Sequence, residues 1–357
     1  MGSLPLRHLF VPTGTPAPFQ VTFHPYDGFL LKHGRAPPTS FDLDLLVYKD
    51  DNLYCGNEKL THQKRLSKAS KVPVYELYLH NKPVAVVKYV RGASVDPYEA
   101  PSHEIGVVDI LRKCRIGAVN VIDARIPLDF RAYVQKLKLI QKYTLDDGGL
   151  CDEYTTQATE IMKRMPYDAI PVVMEYYQGD LTTLINHLTS IDICRIGIEL
   201  GKVLISLMSH GLYYTDMKPE NVLWKFSTFE SITVRLADLG SIYQKGRWAA
   251  QTYPYPNANF VTGDVHTLSL ASERVVVWGL GMVLVMLFDS HVYRNAKAWM
   301  SWSELNGKNR GLFSAYISRK PNIPSCIKRL VVNDQYSRLK VFLSDLLSSI
   351  GQHTHTR

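Results

Sequence analysis

The stretch that decides the fold of this chain reads Gly211-Leu-Tyr-Tyr-Thr-Asp-Met-Lys-Pro-Glu-Asn-Val-Leu223. A second short stretch, Leu236-Ala-Asp-Leu-Gly240, follows, and its Asp238 comes seventeen residues after Asn221. A single Asp or Asn in such a place is usually a turn residue or a helix cap. The two stretches together, with this order and spacing, indicate a catalytic centre.

The pattern D-x-K-P-E-N within residues 211–223, followed by D-x-G within residues 236–240, resembles the catalytic loop and the metal-binding loop of eukaryotic-type protein kinases. The resemblance extends from about residue 66 to about residue 288. It implies an α+β, bilobal protein-kinase-like fold, in which a small strand-rich N-lobe precedes a larger helical C-lobe. It also implies a transferase that uses ATP and Mg²⁺.

The resemblance implies a role for four side chains. Asp216 accepts or orients the proton of the substrate hydroxyl, and Lys218 stabilises the migrating phosphoryl group. Asn221 and Asp238 hold the Mg²⁺ ions that bridge the phosphates of ATP. Lys218 also favours a Ser/Thr kinase, since tyrosine kinases of the family generally have Ala and Arg in that part of the loop.

A lysine and a glutamate upstream complete the phosphate site that the resemblance implies. Lys88 ends the strand-like sequence Ala85-Val-Val-Lys and occupies the place of the lysine that contacts the α- and β-phosphates. Glu104 opens a helix-like sequence and is well placed to pair with this lysine. Glu99 is a weaker alternative because Pro101 lies between it and the helix start, and Lys88 taken alone is equally explained as a solvated strand lysine.

The loop that covers the phosphates departs from the family pattern. Residues 66–74 stand where the family has G-x-G-x-x-G-x-V, and Ser67, Ala69 and Val72 replace the three glycines. Glycine lets backbone amides approach phosphate oxygens closely, and Ser67 and Ala69 are small enough to keep part of that approach. We expect Leu66, Ser67 and Ala69 to contact nucleotide, either more weakly or with help from the surrounding basic residues. A solvated basic loop explains those charges equally well.

Residues 172–177 resemble the fifth strand and the hinge of the family. The resemblance makes Met174 the gatekeeper and assigns the adenine hydrogen bonds to the backbones of Glu175 and Tyr177. The residues expected to sandwich the adenine are Val74, Ala85 and Leu223. Asp180 stands where an acidic residue often contacts ribose or a basic substrate. Core packing explains each apolar residue equally well, and a helix N-cap explains Asp180.

The periodicity of the chain predicts the elements that carry these motifs. We expect a hairpin over 74–90, a buried strand over 170–177, and helices over 104–113, 181–188 and 191–210. Residues 275–288 predict a buried core helix, because 14 apolar residues are too few to cross a bilayer. The expected division is a Pro-rich irregular extension over 1–60, an N-lobe over 61–174 with an insertion at about 115–168, a C-lobe over 175–350 and a tail over 351–357.

Composition limits the possible partners and compartments. The chain has 357 residues, and 41 Lys and Arg against 33 Asp and Glu give a net charge of +8. This charge suits phosphate-bearing or acidic partners, but no recognised nucleic-acid-binding motif accompanies it, so nucleic-acid binding is not indicated. The five cysteines form no C-x-x-C pair, and the N-terminus has no signal-peptide pattern. We expect an intracellular protein of the cytoplasm or nucleus, without a transmembrane segment, that acts on protein substrates.

Three departures concern regulation and alternatives. Tyr214 and Thr215 replace the His and Arg that usually precede the catalytic Asp, and that Arg commonly pairs with a phosphorylated activation-loop residue. Val276 replaces an aspartate of the buried helix. Such losses resemble the fast-diverging kinases of large DNA viruses. They also favour a pseudokinase or scaffold as the alternative, which the intact catalytic residues oppose. A small-molecule kinase of the aminoglycoside-phosphotransferase type is a further alternative, but it lacks Lys-Pro-Glu before the Asn.

Overall fold

The fold was derived from a computed structural model, which describes residues 19–20, 43–49, 52–66, 73–91, 104, 107–108, 111, 124–125, 169–228, 231–252, 260–262, 267–296 and 308–354. The chain divides into two compact units. One, which we call the helical unit, comprises Met1–Ala36, Ala118–Val121 and Gln178–Arg357. The other, the strand unit, comprises Pro37–Gly117 and Ile122–Tyr177.

The secondary structure is mixed. The strands are β1 (Phe19–Gln20), β2 (Leu46–Lys49), β3 (Asn52–Cys55), β4 (Glu58–Lys59), β5 (Thr61–Arg65), β6 (Val74–Leu79), β7 (Lys82–Arg91), β8 (Ala124–Arg125), β9 (Ala169–Glu175), β10 (Gly179–Asp180), β11 (Leu212–Tyr214), β12 (Val222–Thr228), β13 (Ser231–Leu236), β14 (Ile242–Gln244), β15 (Trp248–Gln251), β16 (Phe260–Thr262) and β17 (Thr267–Leu270). The α-helices are α1 (Ser190–Ser209), α2 (Glu273–Phe288), α3 (Ser290–Arg294), α4 (Lys308–Ser318), α5 (Ser325–Asn333) and α6 (Leu339–Thr354). Short 3₁₀ helices cover Leu43–Leu45, Leu181–Leu184, Pro219–Asn221 and Leu239–Ser241.

The strand unit is built around an antiparallel five-stranded sheet with the order β5-β6-β7-β9-β8. Its central hairpin, β6–β7, confirms the hairpin predicted from the sequence. The turn takes only two residues, His80 and Asn81, whose φ angles are 49° and 61°. Positive φ at both positions is typical of a type I′ turn, whose twist matches that of the flanking strands. Lys82 and Pro83 therefore already belong to β7.

The described residues within 43–60 are not irregular, in contrast to the expectation for the N-terminal extension. They form the antiparallel sheet β2-β3-β4, and four of their leucines are buried in one cluster with the five-stranded sheet. The leucines of this segment are Leu43, Leu46, Leu53 and Leu60, and their partners in the large sheet are Leu77, Val84, Ala85, Val87 and Val173. Burial of each leucine contributes about 2 kcal/mol, so this meander is part of the core of the strand unit.

The helical unit has α1 and α2 at its centre, and both confirm helices predicted from the sequence. Thr189 caps α1 through a capping box with Asp192, which satisfies backbone groups at the helix start. The side chains of α2 are buried continuously from Val275 to Leu287. This pattern is typical of a helix surrounded by protein on all sides.

The helix predicted over 181–188 is shorter than expected. Only Leu181–Leu184 form a 3₁₀ helix, with Asp180 as its N-cap. The helix ends because Ile185 has an extended ψ of 130° and Asn186 has a φ of 72°, and neither conformation continues a helix. The apolar residues at this spacing are buried, but in a turn rather than along a helix face.

Several predictions fall partly outside the described residues. Glu104, Val107, Val108 and Leu111 are helical and buried, which agrees with the predicted helix, whereas its other residues lie outside the described set. Of the predicted insertion at about 115–168, the structure describes only β8, which pairs with β9. At the C-terminal end, α6 extends to Thr354, within the predicted tail. Among the described residues, no helix is both long and apolar enough to span a membrane.

Candidate active site

Asp216 and its neighbours lie in a turn between two strands of the helical unit. The chain leaves β11 at Tyr214, passes through Asp216 and Lys218, and enters β12 after the 3₁₀ turn Pro219–Asn221. Tyr214 is fully buried and Met217 is 3% exposed, so side chains on either side of Asp216 anchor the turn. The polar side chains of Asp216 and Lys218 remain 13% and 23% exposed. The polar side chains of the turn thus stay partly exposed to solvent, while its buried apolar side chains hold it in place.

The carboxylate of Asp216 is held by groups of three residues, namely Lys218, Thr252 and Asn221, whose Nδ2 lies 3.4 Å from Oδ2. Lys218 Nζ lies 2.7 Å from Oδ2 of Asp216, and the backbone N–H of Thr252 donates to Oδ1 over 2.7 Å. The hydroxyl of Thr252 lies 3.1 Å from Oδ2 and 2.9 Å from Nζ of Lys218. Asp216 and Lys218 therefore bind one aliphatic hydroxyl between them, although it comes from a residue 36 positions further along the chain.

Asn221 is oriented by its own hydrogen bonds. Its side-chain Nδ2 donates to the backbone oxygen of Asp216 over 2.9 Å, and its backbone oxygen accepts from Ala237 over 2.9 Å. The first bond fixes the amide with its nitrogen toward Asp216. The second joins residues 215–221, which we call the catalytic turn after the role that the sequence predicts, to the residue before Asp238. Because β12 and β13 pair antiparallel, with Val222 opposite Leu236, Asn221 and Asp238 lie at the same end of one hairpin.

Asp238 adopts an unusual backbone conformation. Its φ and ψ are 52° and 68°, in the left-handed region that few residues other than Gly, Asn and Asp occupy. Its Oδ2 accepts a 2.6 Å hydrogen bond from the hydroxyl of Ser241. Positive φ in a non-glycine residue costs about 1 kcal/mol or more and persists only where the surroundings hold it.

The donors of Asn221 and Asp238 fit Mg²⁺ in chemical type, because this ion prefers carboxylate and amide oxygens. Among the described residues, no group of three or more His, Cys, Asp or Glu side chains could hold a metal. At a nucleotide, Mg²⁺ usually has one or two protein ligands, and water and phosphate oxygens supply its other ligands. The residues present therefore fit a magnesium–nucleotide complex better than a cage made only of protein side chains.

In the strand unit, the structure brings together Lys88 and Glu104. Lys88 Nζ lies 2.7 Å from one carboxylate oxygen of Glu104 and 2.9 Å from the other. The lysine side chain is 19% exposed and that of the glutamate 9%. A lysine gripped by both oxygens of a nearly buried carboxylate has a fixed direction, which a solvated strand lysine lacks.

Strand alternation decides which neighbours share a sheet face with Lys88. Val74 lies directly opposite Lys88, and Val86 lies directly opposite Met174, so these four side chains share one face. Ala85 is three residues from Lys88 and points to the other face, where it is fully buried in the leucine cluster. This corrects the expectation that Ala85 covers the adenine. Val86, which is half-buried, lies on the face of Lys88 instead.

A second ion pair lies on the same face of the sheet. Glu76, which is 5% exposed, accepts from Lys64 over 3.3 Å and from the hydroxyl of Tyr78 over 2.8 Å. The hydrogen bond to Glu76, followed by burial, raises the pKa of Tyr78 to about 12. The sequence indicates Lys64 only as part of a basic stretch, whereas the structure gives it a carboxylate partner. No sequence motif indicates Glu76.

The structure describes some, but not all, of the remaining residues of the strand unit that are predicted to contact nucleotide. Met174 is 8% exposed at the end of β9, and the hydroxyl of Tyr177 donates to the carboxylate of Glu175 over 3.0 Å. Leu66 is 41% exposed, and its backbone N–H donates to Val74 over 2.9 Å. Ser67 and Ala69 lie outside the described residues.

Asp180 and Leu223 are neighbours on paired strands of the helical unit. The carboxylate of Asp180 caps the following 3₁₀ turn by accepting from the backbone N–H and the hydroxyl of Thr182. Its backbone oxygen accepts from the indole N–H of Trp224 over 3.0 Å. Burial raises the pKa of Asp180, and the hydrogen bonds from Thr182 oppose this shift. The N-cap interpretation of this residue is therefore correct, whether or not it also meets a ligand.

Sequence reasoning missed Thr252, Ser241 and the bonds made by Tyr214 and Thr215. The hydroxyl of Tyr214 donates to the backbone oxygen of Ala237 over 2.5 Å. Thr252 lies far from Asp216 along the chain, and no local pattern indicates its contact. Ser241 directly follows the D-x-G pattern, so the sequence does indicate that it lies close to Asp238.

Comparison with known proteins places the chain in a family. A sequence model described as "Protein kinase domain" matches residues 153–349, more than half of the chain. The chain belongs to the protein kinase domain family. Among solved structures it is similar to PK-1, the kinase of Cydia pomonella granulovirus, with 16% identity and a TM-score of 0.48. That similarity covers 81% of this chain and 92% of the viral one. No protein among the curated sequences matches the chain.

Proposed function

We propose that this protein kinase is catalytically active and transfers the γ-phosphate of ATP, with Mg²⁺, to Ser or Thr hydroxyls of protein substrates. The observation that carries the proposal is the position of the Thr252 hydroxyl, which lies 3.1 Å from the Asp216 carboxylate and 2.9 Å from Lys218 Nζ. A carboxylate and an ammonium group that together bind an aliphatic hydroxyl suit an acceptor of the Ser or Thr type.

The chemistry assigned to each residue follows from its surroundings. Asp216 orients the acceptor hydroxyl and takes its proton, while Lys218 neutralises charge on the phosphoryl group in transfer. Asn221 and Asp238 would hold magnesium, which neutralises the phosphate oxygens when bound. Lys88, held by Glu104, would contact the nucleotide phosphates as a fixed cation. Phosphoryl transfer needs this positioning and charge neutralisation more than it needs covalent catalysis.

The adenine contacts are proposed with one change from the sequence expectation. Val74, Val86 and Met174 share the sheet face of Lys88, and we assign them the apolar contacts of the strand unit. The backbones of Glu175 and Tyr177 are the proposed adenine hydrogen-bonding groups, and Leu223 stays a proposed apolar contact. Leu66, Ser67 and Ala69 remain proposed phosphate-loop contacts.

We also infer that the protein acts in the cytoplasm or nucleus. The described cysteines Cys194 and Cys326 are buried free thiols, which suits a reducing compartment. Burial raises the pKa of the Cys194 thiol to about 12 and also raises that of Cys326. These two thiols are therefore protonated at neutral pH and resist oxidation.

The test compares wild type with Asp216→Asn and Asp238→Asn. A non-hydrolysable ATP analogue is titrated by calorimetry with and without Mg²⁺, and phosphate transfer to a basic protein mixture and to the chain itself is measured in parallel. Asp238→Asn removes a charged metal ligand, so both magnesium-dependent binding and transfer should fall. Asp216→Asn should bind as wild type does and transfer more slowly by a factor on the order of 10² to 10⁴.

Two results would contradict the proposal. If wild type binds no nucleotide, the glycine-free loop has abolished binding, and the alternative of a pseudokinase or scaffold holds. If both variants transfer phosphate at the wild-type rate, these carboxylates are not catalytic.

A further inference from the structure

The residues before Asp216 and the residues after Asp238 are joined by hydrogen bonds. Strands β11 and β14 pair antiparallel, with Tyr214 opposite Ile242. The ladder continues one step further, because the backbone N–H of Thr215 donates to the oxygen of Ser241 over 2.9 Å. The catalytic turn therefore begins, and the loop of residues 237–241, which we call the metal loop, ends at one continuous strand pair.

Thr215 points into this junction rather than to solvent. It is 4% exposed, and its hydroxyl donates a second hydrogen bond, of 3.2 Å, to the same oxygen of Ser241. Two donors on one carbonyl fix the position of Ser241 more firmly than a single ladder bond would. Ser241 is itself 7% exposed, so solvent competes little with these bonds.

Ser241 passes this constraint on to Asp238. Its hydroxyl donates to Oδ2 of Asp238 over 2.6 Å, and its backbone N–H donates to the backbone oxygen of Asp238 over 2.9 Å. The two bonds hold both the side chain and the left-handed backbone of Asp238. On the other side, the hydroxyl of Tyr214 binds the backbone oxygen of Ala237. Asp238 is thus restrained from both of its flanking peptides.

We propose that Ser241 is a positioning residue for magnesium. Ser241 acts through Asp238 and is itself held in place by Thr215. The inference rests on the proposed function and concerns the metal site within it. A hydroxyl that donates to one carboxylate oxygen orients the carboxylate before the ion arrives, so less conformational freedom is lost when Mg²⁺ binds. Partners of this kind typically change metal affinity by about 10- to 100-fold when they are removed.

The experiment titrates Mg²⁺ into the full chain with a saturating non-hydrolysable ATP analogue and follows binding by calorimetry or intrinsic fluorescence. Ser241→Ala should raise the half-saturating Mg²⁺ concentration by about tenfold or more, while the affinity for the analogue without metal stays within about twofold. Thr215→Val keeps the backbone N–H bond and loses the hydroxyl bond, so it should produce a smaller shift in the same direction.

The matched control is Thr189→Ala, which removes the N-cap hydroxyl of α1 in the same unit. It should lower the midpoint of denaturant unfolding without changing the Mg²⁺ requirement. Ser241→Thr, which restores a hydroxyl, should recover most of the wild-type Mg²⁺ affinity. This rescue separates a role at the metal loop from a general loss of stability.

Three outcomes decide the matter. A tenfold shift in Ser241→Ala that Ser241→Thr reverses supports the inference. An unchanged Mg²⁺ requirement in Ser241→Ala, with wild type binding normally, overturns the inference and leaves the proposed kinase activity intact. Failure of wild type to bind the analogue in the presence of Mg²⁺ instead contradicts the proposed function.

Discussion

Gly279 of α2 lies directly against Met217 of the catalytic turn. A β-carbon added to this glycine would lie 2.9 Å from Cβ of Met217 and 3.4 Å from its Cγ. Met217 stands between Asp216 and Lys218 and is 3% exposed, so it has little room to move. The position of the catalytic turn therefore depends on the absence of a side chain at Gly279 of the buried helix α2.

Gly279→Ala should slow phosphate transfer by about tenfold or more, because the added methyl group meets the rigid base of Met217 and displaces its neighbours. Overpacking should also cost about 1 to 3 kcal/mol of stability. Transfer rates and denaturant unfolding are measured together. Gly281→Ala is the control, since its methyl group would crowd Leu330 and Val331 of α5 and not Met217. Equal losses of transfer in the two variants would show that no specific displacement occurs.

Lys88→Met should reduce transfer to near background with little loss of fold, because methionine fills the same space without the charge that Glu104 directs. Steady-state transfer and the circular-dichroism melting curve test this. Lys82→Met, at the exposed start of the same strand, is the matched control and should keep wild-type activity. Turnover that survives in Lys88→Met would refute the assignment of this lysine.

Treatment with phosphatase should leave the activity unchanged. Thr215 occupies the place of the phosphate-pairing arginine, is buried, and binds the backbone of Ser241, so a phosphate on the following segment has no cation to meet at this position. Activity is measured before and after dephosphorylation, with the phosphate content checked by mass spectrometry. A large loss that an upstream kinase restores would disprove the prediction.

The substitution Thr215→Arg, which introduces the arginine usual in the family, tests the same position. A guanidinium at a position that is 4% exposed cannot reach solvent without opening the β11–β14 junction, and burial of an unpaired charge costs several kcal/mol. The variant should therefore unfold at a lower denaturant concentration and lose activity, although it restores the residue type usual in the family.

Acid unfolding should depend on Asp289. Burial alone would raise its pKa, but hydrogen bonds from Lys320 and Tyr316 outweigh it, so its pKa in the folded state lies below the ordinary value of 3.8. The charged carboxylate therefore stabilises the fold above about that pH, and this contribution is lost as the pH falls through the lower folded pKa.

Asp289→Asn and Lys320→Met should each flatten the fall in stability on acidification, and urea unfolding at a series of pH values between 7 and the acid limit measures this. Lys328→Met removes a lysine of similar size from the neighbouring helix α5 and should keep the wild-type slope. If Asp289→Asn shows that slope too, other carboxylates govern acid unfolding.

The sequence predicts the large elements and the candidate catalytic side chains because both have local signals. Asp216, Asn221 and Asp238 stand in short motifs, and the hairpin and the buried helix α2 follow from periodicity. Thr252 has no such signal, since its contact with Asp216 depends on how a distant segment folds back.

Ala85 is a different case, because the sequence itself contains the signal that places it on the other face. A residue three positions from Lys88 along a strand points to the opposite face, so period-two alternation alone assigns Val86 to the face of the lysine. Residues 43–60 were hidden for another reason. The prolines before them suggested an irregular segment, whereas the apolar residues that build β2 and β3 come after the last of those prolines.

The leucine cluster shows that the folding unit begins earlier in the chain than the recognisable kinase motifs do. Recognisable kinase motifs begin near residue 66, yet the back of the five-stranded sheet is covered by leucines that begin at Leu43. A gene fusion or proteolytic fragment that starts at residue 61 would expose Leu77, Val87 and Val173 to water on one face of a sheet. Such a fragment would keep every proposed catalytic residue and would nevertheless aggregate, because an uncovered apolar sheet face binds to copies of itself.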